Sequence, residues 1–214
     1  MLKRIRNLFN KNKEEVPILS VDDKIDCLFY SLKENIITIH IGSDLVKYGE
    51  LICDIISDIR QEIKDECGFI IPAVKINENI FIQENEAVIY IREKQVDNCF
   101  LVPNEESIRE EFYELFKSIV YDSINTIFTN EITERYIYTV QENNSLLIWN
   151  LTNVLSTIDI KTILTDIILK GKSIENINYI FEKIGELILS GGEYRDYFKK
   201  YNPHTIAKQV IKSM

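Results

Sequence analysis

The stretch Gly68–Arg92, G-F-I-I-P-A-V-K-I-N-E-N-I-F-I-Q-E-N-E-A-V-I-Y-I-R, decides the fold of this chain. Just upstream, Leu51, Ile52, Ile55, Ile56, Ile59 and Ile63 recur on one helical face, so Gly68 stands where a helix ends in a residue of positive φ. Pro72 disfavours a helical Ile71 and lacks an N–H, which places it at the start or edge of a strand. Val74 and Ile76 alternate with Lys75 and Asn77 as a half-buried strand does. Val88, Tyr90 and Arg92 alternate with Ile89 and Ile91 in the same way. A helix stop, a strand, a turn and a second strand follow from these spacings alone.

Outward from this stretch, Lys24 to Leu32 and Ile36 to Ile41 read as two earlier strands, and Leu51 to Cys67 as the helix. The order is ββαββ. Downstream, Ile108, Phe112, Leu115, Phe116, Ile119, Val120 and Ile127 mark a long helix that Thr129-Asn130 ends, and further helices start near Glu131, Ile160, Glu175, Glu193 and Pro203. Ile160, Ile163, Leu164, Ile167 and Ile168 make one apolar stripe, Gly171 stops it, and Ser173 is placed to cap the next helix. Asn202-Pro203 pairs a cap with proline at the first helical position. The expected fold class is α+β: a small mixed sheet with a helix, ββαββ-like, followed by an all-helical half. Three parts are expected: a basic amphipathic segment over 1–16, an α+β subdomain over 17–103 and a helical subdomain over 104–214, with Pro103 to Glu106 as a short, packed junction.

The first stretch resembles a family signature, G-F-[VI]-[VIL]-P-x-V-[RK]-[IV]-x-[DE]-N-x-x-[LI]-x-x-N-E-x-x-I-x-[IL]. That signature is similar to the cytosolic domain of the FHIPEP family, the export gate of flagellar and type III secretion systems. Gly68, Pro72, Val74, Ile76, Asn79, Asn85, Glu86, Ile89 and Ile91 fall in register, while Glu84 stands where the family has Pro, Ala87 where it has Tyr, and Glu93 where it has Gly. A second block, Ile160–Ile177, resembles the family's E-I-Q-x-V-L-Q-x-L-L-x-E-G-V-S-I-R-D-L, with Ile160, Leu164, Ile168, Gly171, Ser173, Ile174 and Ile177 in order. The resemblance runs from about Asp23 to the end. It implies a protein-binding scaffold and no enzyme. It also implies three absences: the transmembrane channel half, the α/β insert that the family carries between the positions of Arg92 and Ser107, and the terminal subdomain. A stripped-down or repurposed relative is the expectation, and because the family's ring contacts draw on the absent parts, a monomer or dimer in isolation.

Composition bounds the function classes. With 214 residues, 45% hydrophobic and 28% charged, the chain can bury a substantial core. Its net charge of −9 and pI near 4.9 argue against nucleic acid, whose binding rests on cations that neutralise phosphates. Positive charge gathers at the start instead: Lys3, Arg4, Arg6, Lys11 and Lys13 surround Leu2, Ile5, Leu8 and Phe9, a short basic amphipathic segment suited to docking on a membrane or a partner. No run of about 18 apolar residues marks a membrane helix. Cys27, Cys53, Cys67 and Cys99 show no C-x-x-C pair and no histidine at ligand spacing, so they read as buried apolar residues of a cytoplasmic protein with no metal site.

No catalytic constellation emerges. His40 reads as a strand-face residue and His204 as a first-turn residue, neither with a nucleophile at a recognisable spacing. No cofactor is implied. Tyr194, Tyr197, Phe198 and Tyr201 recur at one helical stripe among Arg195, Lys199 and Lys200, which suits either docking of a short helix on the core or a partner-binding face. Trp149, beside Leu146, Leu147 and Ile148, reads as a core anchor. Two functions remain: a non-enzymatic protein-interaction module, or a membrane-recruited regulatory or structural protein acting through its basic start, peripheral to the inner face of the membrane. Removal of Met1–Lys13 is expected to leave the melting temperature nearly unchanged and to weaken binding to anionic liposomes, by roughly 1 kcal/mol per basic residue lost. Liposome flotation and thermal unfolding of the truncated protein check both halves of this statement.

Overall fold

The computed structural model of the chain describes residues 35–189 and 201–214. Among them, β1 (Ile37–Ile41), α1 (Gly49–Cys67), β2 (Val74–Glu78), β3 (Glu86–Ile91) and β4 (Lys94–Phe100) build a mixed sheet of order β2-β1-β3-β4. A short 3-10 turn, Ser43–Tyr48, leads into α1. β1 is central: Ile37, Ile39 and Ile41 are buried while Thr38 and His40 are half-exposed. It pairs parallel with β2 and antiparallel with β3. α1 makes the crossover between β1 and β2, and its Ile52, Ile55, Ile56, Ile59, Ile63 and Cys67 cover the apolar face. The stripe expected from spacing is the buried one. Pro72 precedes edge strand β2, where its missing N–H costs no ladder bond.

β4 is invisible to the sequence reading, in which 93–106 is a short connection. Its residues, K-Q-V-D-N-C-F, are mostly exposed and show no apolar period. Backbone pairing with β3 holds the strand in place of packing, with a register shift at Ile89/Tyr90. The two-residue turn between them, Arg92-Glu93, has φ of 49° and 64°, the left-handed pair of a type I′ hairpin. Glycine would normally relieve this strain; here two bulky charged residues bear it. The expected strand Lys24 to Leu32 lies outside the described residues, so the order seen is β-α-β-β-β.

All described elements after Pro103 are helical. A run opens at Glu105–Ser107, where Asn104 Oδ1 accepts the Ser107 N–H at 2.9 Å, widens into the π-helical segment Ile108–Phe112 and continues as α2 (Tyr113–Asp122). The single long helix expected here breaks at Ser123, ahead of the one-turn α3 (Ile124–Ile127). α4 (Asn130–Asn143), α5 (Ser145–Thr152), α6 (Thr157–Leu169), α7 (Ile177–Leu189) and α8 (Pro203–Ser213) follow. The break at Asn144 is not expected from periodicity, although Asn144 caps α5 through the Leu147 N–H at 3.2 Å. The helix start expected near Glu193 lies outside the described residues. α6 begins in a capping box, Ser156 with Asp159, and ends at Gly171, φ 67°, whose N–H reaches Ile168 O at 2.8 Å while Lys172 N–H reaches Ile167 O at 3.2 Å. That pair of bonds is a Schellman motif.

The two family-like blocks meet in space. α1 stops at Gly68, φ 64°, whose N–H bonds to Lys64 O at 2.7 Å. The segment after Gly171 lies directly on this stop: Ile174 donates its N–H to Cys67 O at 2.8 Å. A Cβ on Gly68 would sit 2.2 Å from Glu175 N and 2.8 Å from Ser173 Oγ, so the contact has no room for any side chain. Ser173 does not cap α7 as expected. Its Oγ accepts the Glu175 N–H at 3.2 Å, and Asn176 caps the helix through Tyr179 N–H at 3.3 Å. Beyond the stop, Phe69 packs on Phe128 and Phe128 on Tyr136, with ring centroids 5.1 and 5.6 Å apart, so one apolar core spans sheet and helices.

The two positive-φ glycines separate conformational strain from close approach. A Cβ on Gly171 would meet nothing within 4 Å, so Gly171→Ala is expected to cost about 1 kcal/mol, from the left-handed backbone alone. Gly68→Ala adds a collision with backbone and is expected to cost about 3 kcal/mol or more. Urea unfolding of the two variants measures the difference.

Candidate functional site

The family-like residues whose order exceeds what packing needs converge on the loop between β2 and β3. Asn79 donates its N–H to Ile41 O at 2.9 Å, accepts the Phe81 N–H on Oδ1 at 2.9 Å, and its Nδ2 lies 3.3 Å from His40 Nδ1. At the other end, Asn85 Nδ2 donates to Leu101 O at 3.3 Å while Leu101 N–H returns to Asn85 O at 2.9 Å. Glu86 accepts from Gln83 N–H at 3.1 Å and from Asn98 Nδ2 at 2.7 Å. The loop also presses on Gly42, where a Cβ would sit 2.0 Å from Gln83 O and 2.5 Å from Glu84 O. Thus Asn79, Asn85 and Glu86 fix backbone and carry no chemistry of their own.

What they hold out is apolar. Ile80 is 74% exposed and Phe81 92% exposed at the tip of a loop tied down at both ends. A large aromatic side chain held out in water on a backbone tied at both ends suits the anchor of a protein interface, since the loop's main chain has little freedom left to lose on binding. The sequence reading singles out neither residue. The only signal for them is their place in the signature, between Asn79 and Asn85.

Trp149 corrects a second expectation. It is 62% exposed, because α5 is apolar all round and buries only the face of Ile148 and Leu151; Leu146 shares the open side. Tyr201 is half-buried, packs against the core and donates its hydroxyl to Ile188 O at 3.3 Å. Tyr194, Tyr197 and Phe198 lie outside the described residues, as do Lys3, Arg4, Arg6 and Phe9.

His40 is a strand-face residue whose ring meets that of Tyr90 in a tilted contact, centroids 4.8 Å apart. His204 sits in the first turn of α8, its Nδ1 2.6 Å from Asp166 Oδ2 on α6, a carboxylate partner 38 residues away that no sequence spacing reveals. Cys53 is exposed, against expectation, because it lies on the solvent side of α1. Cys67 is buried, and burial pushes its thiol up; burial, then Asp97, raise Cys99 to about 11. Neither provides a thiolate at neutral pH. Among the described residues no three His, Cys, Asp or Glu side chains converge as a metal site, and no helix is long and apolar enough to cross a membrane.

A polar ladder joins α1 to α2 along one side. Glu62 accepts from Lys117 Nζ at 2.6 Å and from the Tyr113 hydroxyl, and Glu66 accepts from the Tyr121 hydroxyl. The bond from Lys117, then that from Tyr113, hold the Glu62 carboxyl below its ordinary 4.5. A depressed carboxyl stabilises the fold fully above its ordinary value and loses that contribution as pH falls through the lower folded one. Wild-type stability should therefore decline below about pH 4.5 more steeply than that of Glu62→Gln, whose curve is flatter because the titrating group is gone. Denaturant melts between pH 6 and 3 check the difference in slope.

No protein-family model and no curated protein sequence matches the chain. Solved structures do. The Chlamydia pneumoniae CdsV protein, in complex with CdsO, superposes with a TM-score of 0.65 at 12% identity, over 85% of this chain and 69% of that one. The nonameric EPEC SctV-C gives 0.62 at 13%, over 81% and 63%. The Shigella flexneri MxiA protein gives 0.56 at 16%, over 81% and 61%. The chain thus spans from 61% to 69% of the length of these structures. Identities this low speak to the fold, and the chain has the fold of the cytosolic domains of FHIPEP-family type III secretion export gates.

Proposed function

We propose that this protein is a non-enzymatic interaction module of a secretion-type apparatus, acting in the cytoplasm by binding a protein partner. The observation that carries the reading is the rigid, exposed Ile80-Phe81 tip, on a fold shared with CdsV, which is solved in complex with CdsO. The hydrogen bonds of Asn79, Asn85 and Glu86 are spent on presenting this tip, which is what a recognition loop requires and a merely structural loop does not.

The SctV-C relative assembles as a nonamer. For this chain in isolation we expect a monomer or dimer at micromolar concentration. Light scattering of the purified protein reads this directly; a stable larger ring contradicts it. For partner binding, affinity capture from the native cell with wild-type and the Ile80→Ser, Phe81→Ser double variant gives the test. Components of a secretion apparatus should be retained by the wild type and lost by the variant, with the melting temperature unchanged because both side chains are already in water. Retention of the same proteins by both forms contradicts the proposed surface.

A further inference from the structure

The outer face of the sheet, turned away from α1, carries an open cavity of about 650 Å³ lined by Asn35, Thr38, His40, Lys75, Tyr90, Arg92 and Glu93. Register explains the grouping: Thr38 of β1 stands between Lys75 of β2 and Tyr90 of β3. Almost every lining group is a hydrogen-bond donor. Two are fixed cations, and among the described residues neither Lys75 nor Arg92 forms an ion pair. Lys161 of α6 lies outside this lining but within electrostatic range of Arg92; burial, then the Arg92 charge, hold its ammonium below the ordinary 10.5. In a chain of net charge −9, two cations in one lining that form no ion pair among the described residues stand out.

Arg92 is also where the backbone is strained. It and Glu93 occupy the left-handed region, which is unfavourable for side chains of this size. Strain of this kind persists where a side chain must be aimed. Here the turn sets the Arg92 side chain on the rim of the cavity. The cavity adjoins the recognition loop, since Asn79 bonds both to His40, in the lining, and to Phe81 N–H.

We propose that this cavity binds the carboxylates of an acidic peptide segment of the protein partner, with Lys75 and Arg92 as counter-charges and the hydroxyls of Thr38 and Tyr90 as donors. The site rests on the reading of the protein as an interaction module and gives that partner its chemistry: an acidic stretch beside an apolar patch that meets Ile80 and Phe81. Among the described residues Glu93 is the one carboxylate in the lining, unpaired and exposed at the rim, and it opposes an anionic ligand.

The test is fluorescence anisotropy with a labelled hexaglutamate peptide against a hexaglutamine peptide of the same length. Hexaglutamate should bind, hexaglutamine should not, and the affinity should fall steeply between 50 and 200 mM salt, concentrations chosen to span the screening range of about 10 Å. Arg92→Gln and Lys75→Gln should each weaken binding about tenfold, the loss of one charge-assisted bond. Glu93→Gln should tighten it, and Lys212→Gln, far along the sequence on α8, should leave it unchanged; unaltered melting temperatures show that the variants fold. The site is overturned if hexaglutamate binds no better than hexaglutamine, or equally well to the Arg92 and Lys75 variants. It is also overturned if inorganic pyrophosphate or vesicles of anionic lipid occupy the cavity while hexaglutamate does not. Because this measurement uses a free peptide, its failure leaves the Ile80-Phe81 capture experiment standing.

Discussion

The Cys67 carbonyl accepts the Ile174 N–H at 2.8 Å, and this bond exists only because Gly68 carries no side chain. Most of the architecture depends on that contact. It terminates α1, starts the descent through Phe69 and Pro72 into β2, and seats the α6–α7 connection on the end of α1. A residue with a Cβ meets two obstacles at once, a left-handed backbone and a neighbouring main chain 2.2 Å away. Side chains rearrange; two backbones in contact do not. The polar ladder of Glu62 and Glu66 with Tyr113, Lys117 and Tyr121 adds a second seam between α1 and α2. Being partly exposed, it orients the helices more than it stabilises them.

On this frame the sheet divides its labour by face. Ile37, Ile39, Ile41 and Ile89 turn inward to the helices, and the alternation of a strand leaves Thr38, His40 and Tyr90 outward. Around Thr38 the outward face is polar and concave and carries Lys75 and Arg92, Val88 beside His40 is buried, and the loop at its border holds a phenylalanine in water. A surface with a charged basin beside an aromatic anchor is suited to a ligand that supplies both an acidic and an apolar part. Nothing about the inner face requires either feature.

How much of this is legible in the sequence depends on whether burial or backbone decides the residue. The α1 stripe, the stop at Gly68, the edge position of Pro72 and the Asn202-Pro203 start are readable because each is a local rule with its own spacing. β4 is not, since K-Q-V-D-N-C-F is held by ladder bonds to β3 and packs on little. Trp149 misleads because α5 is apolar on every side and composition cannot say which side meets the core. Pairing of His204 with Asp166, and the gathering of Lys75 and Arg92 in one lining, depend on chain reversals that no spacing encodes. The site signal lies in the order of Asn79, Asn85 and Glu86, which marks the loop and gives no hint of what the loop displays.

The central claim, that sheet and helices form one cooperative unit welded at Gly68, is tested most directly by native-state hydrogen exchange of the Ile174 amide. That N–H lies in a connection without regular structure, where amides ordinarily exchange through small local openings. If its bond to Cys67 O holds the unit together, Ile174 will exchange only with the global free energy of unfolding, matching Ile59 and Ile63 in the centre of α1. Exchange of Ile174 through openings of near-zero free energy, while Ile59 and Ile63 stay protected, would show that the two halves part without unfolding and would contradict the account.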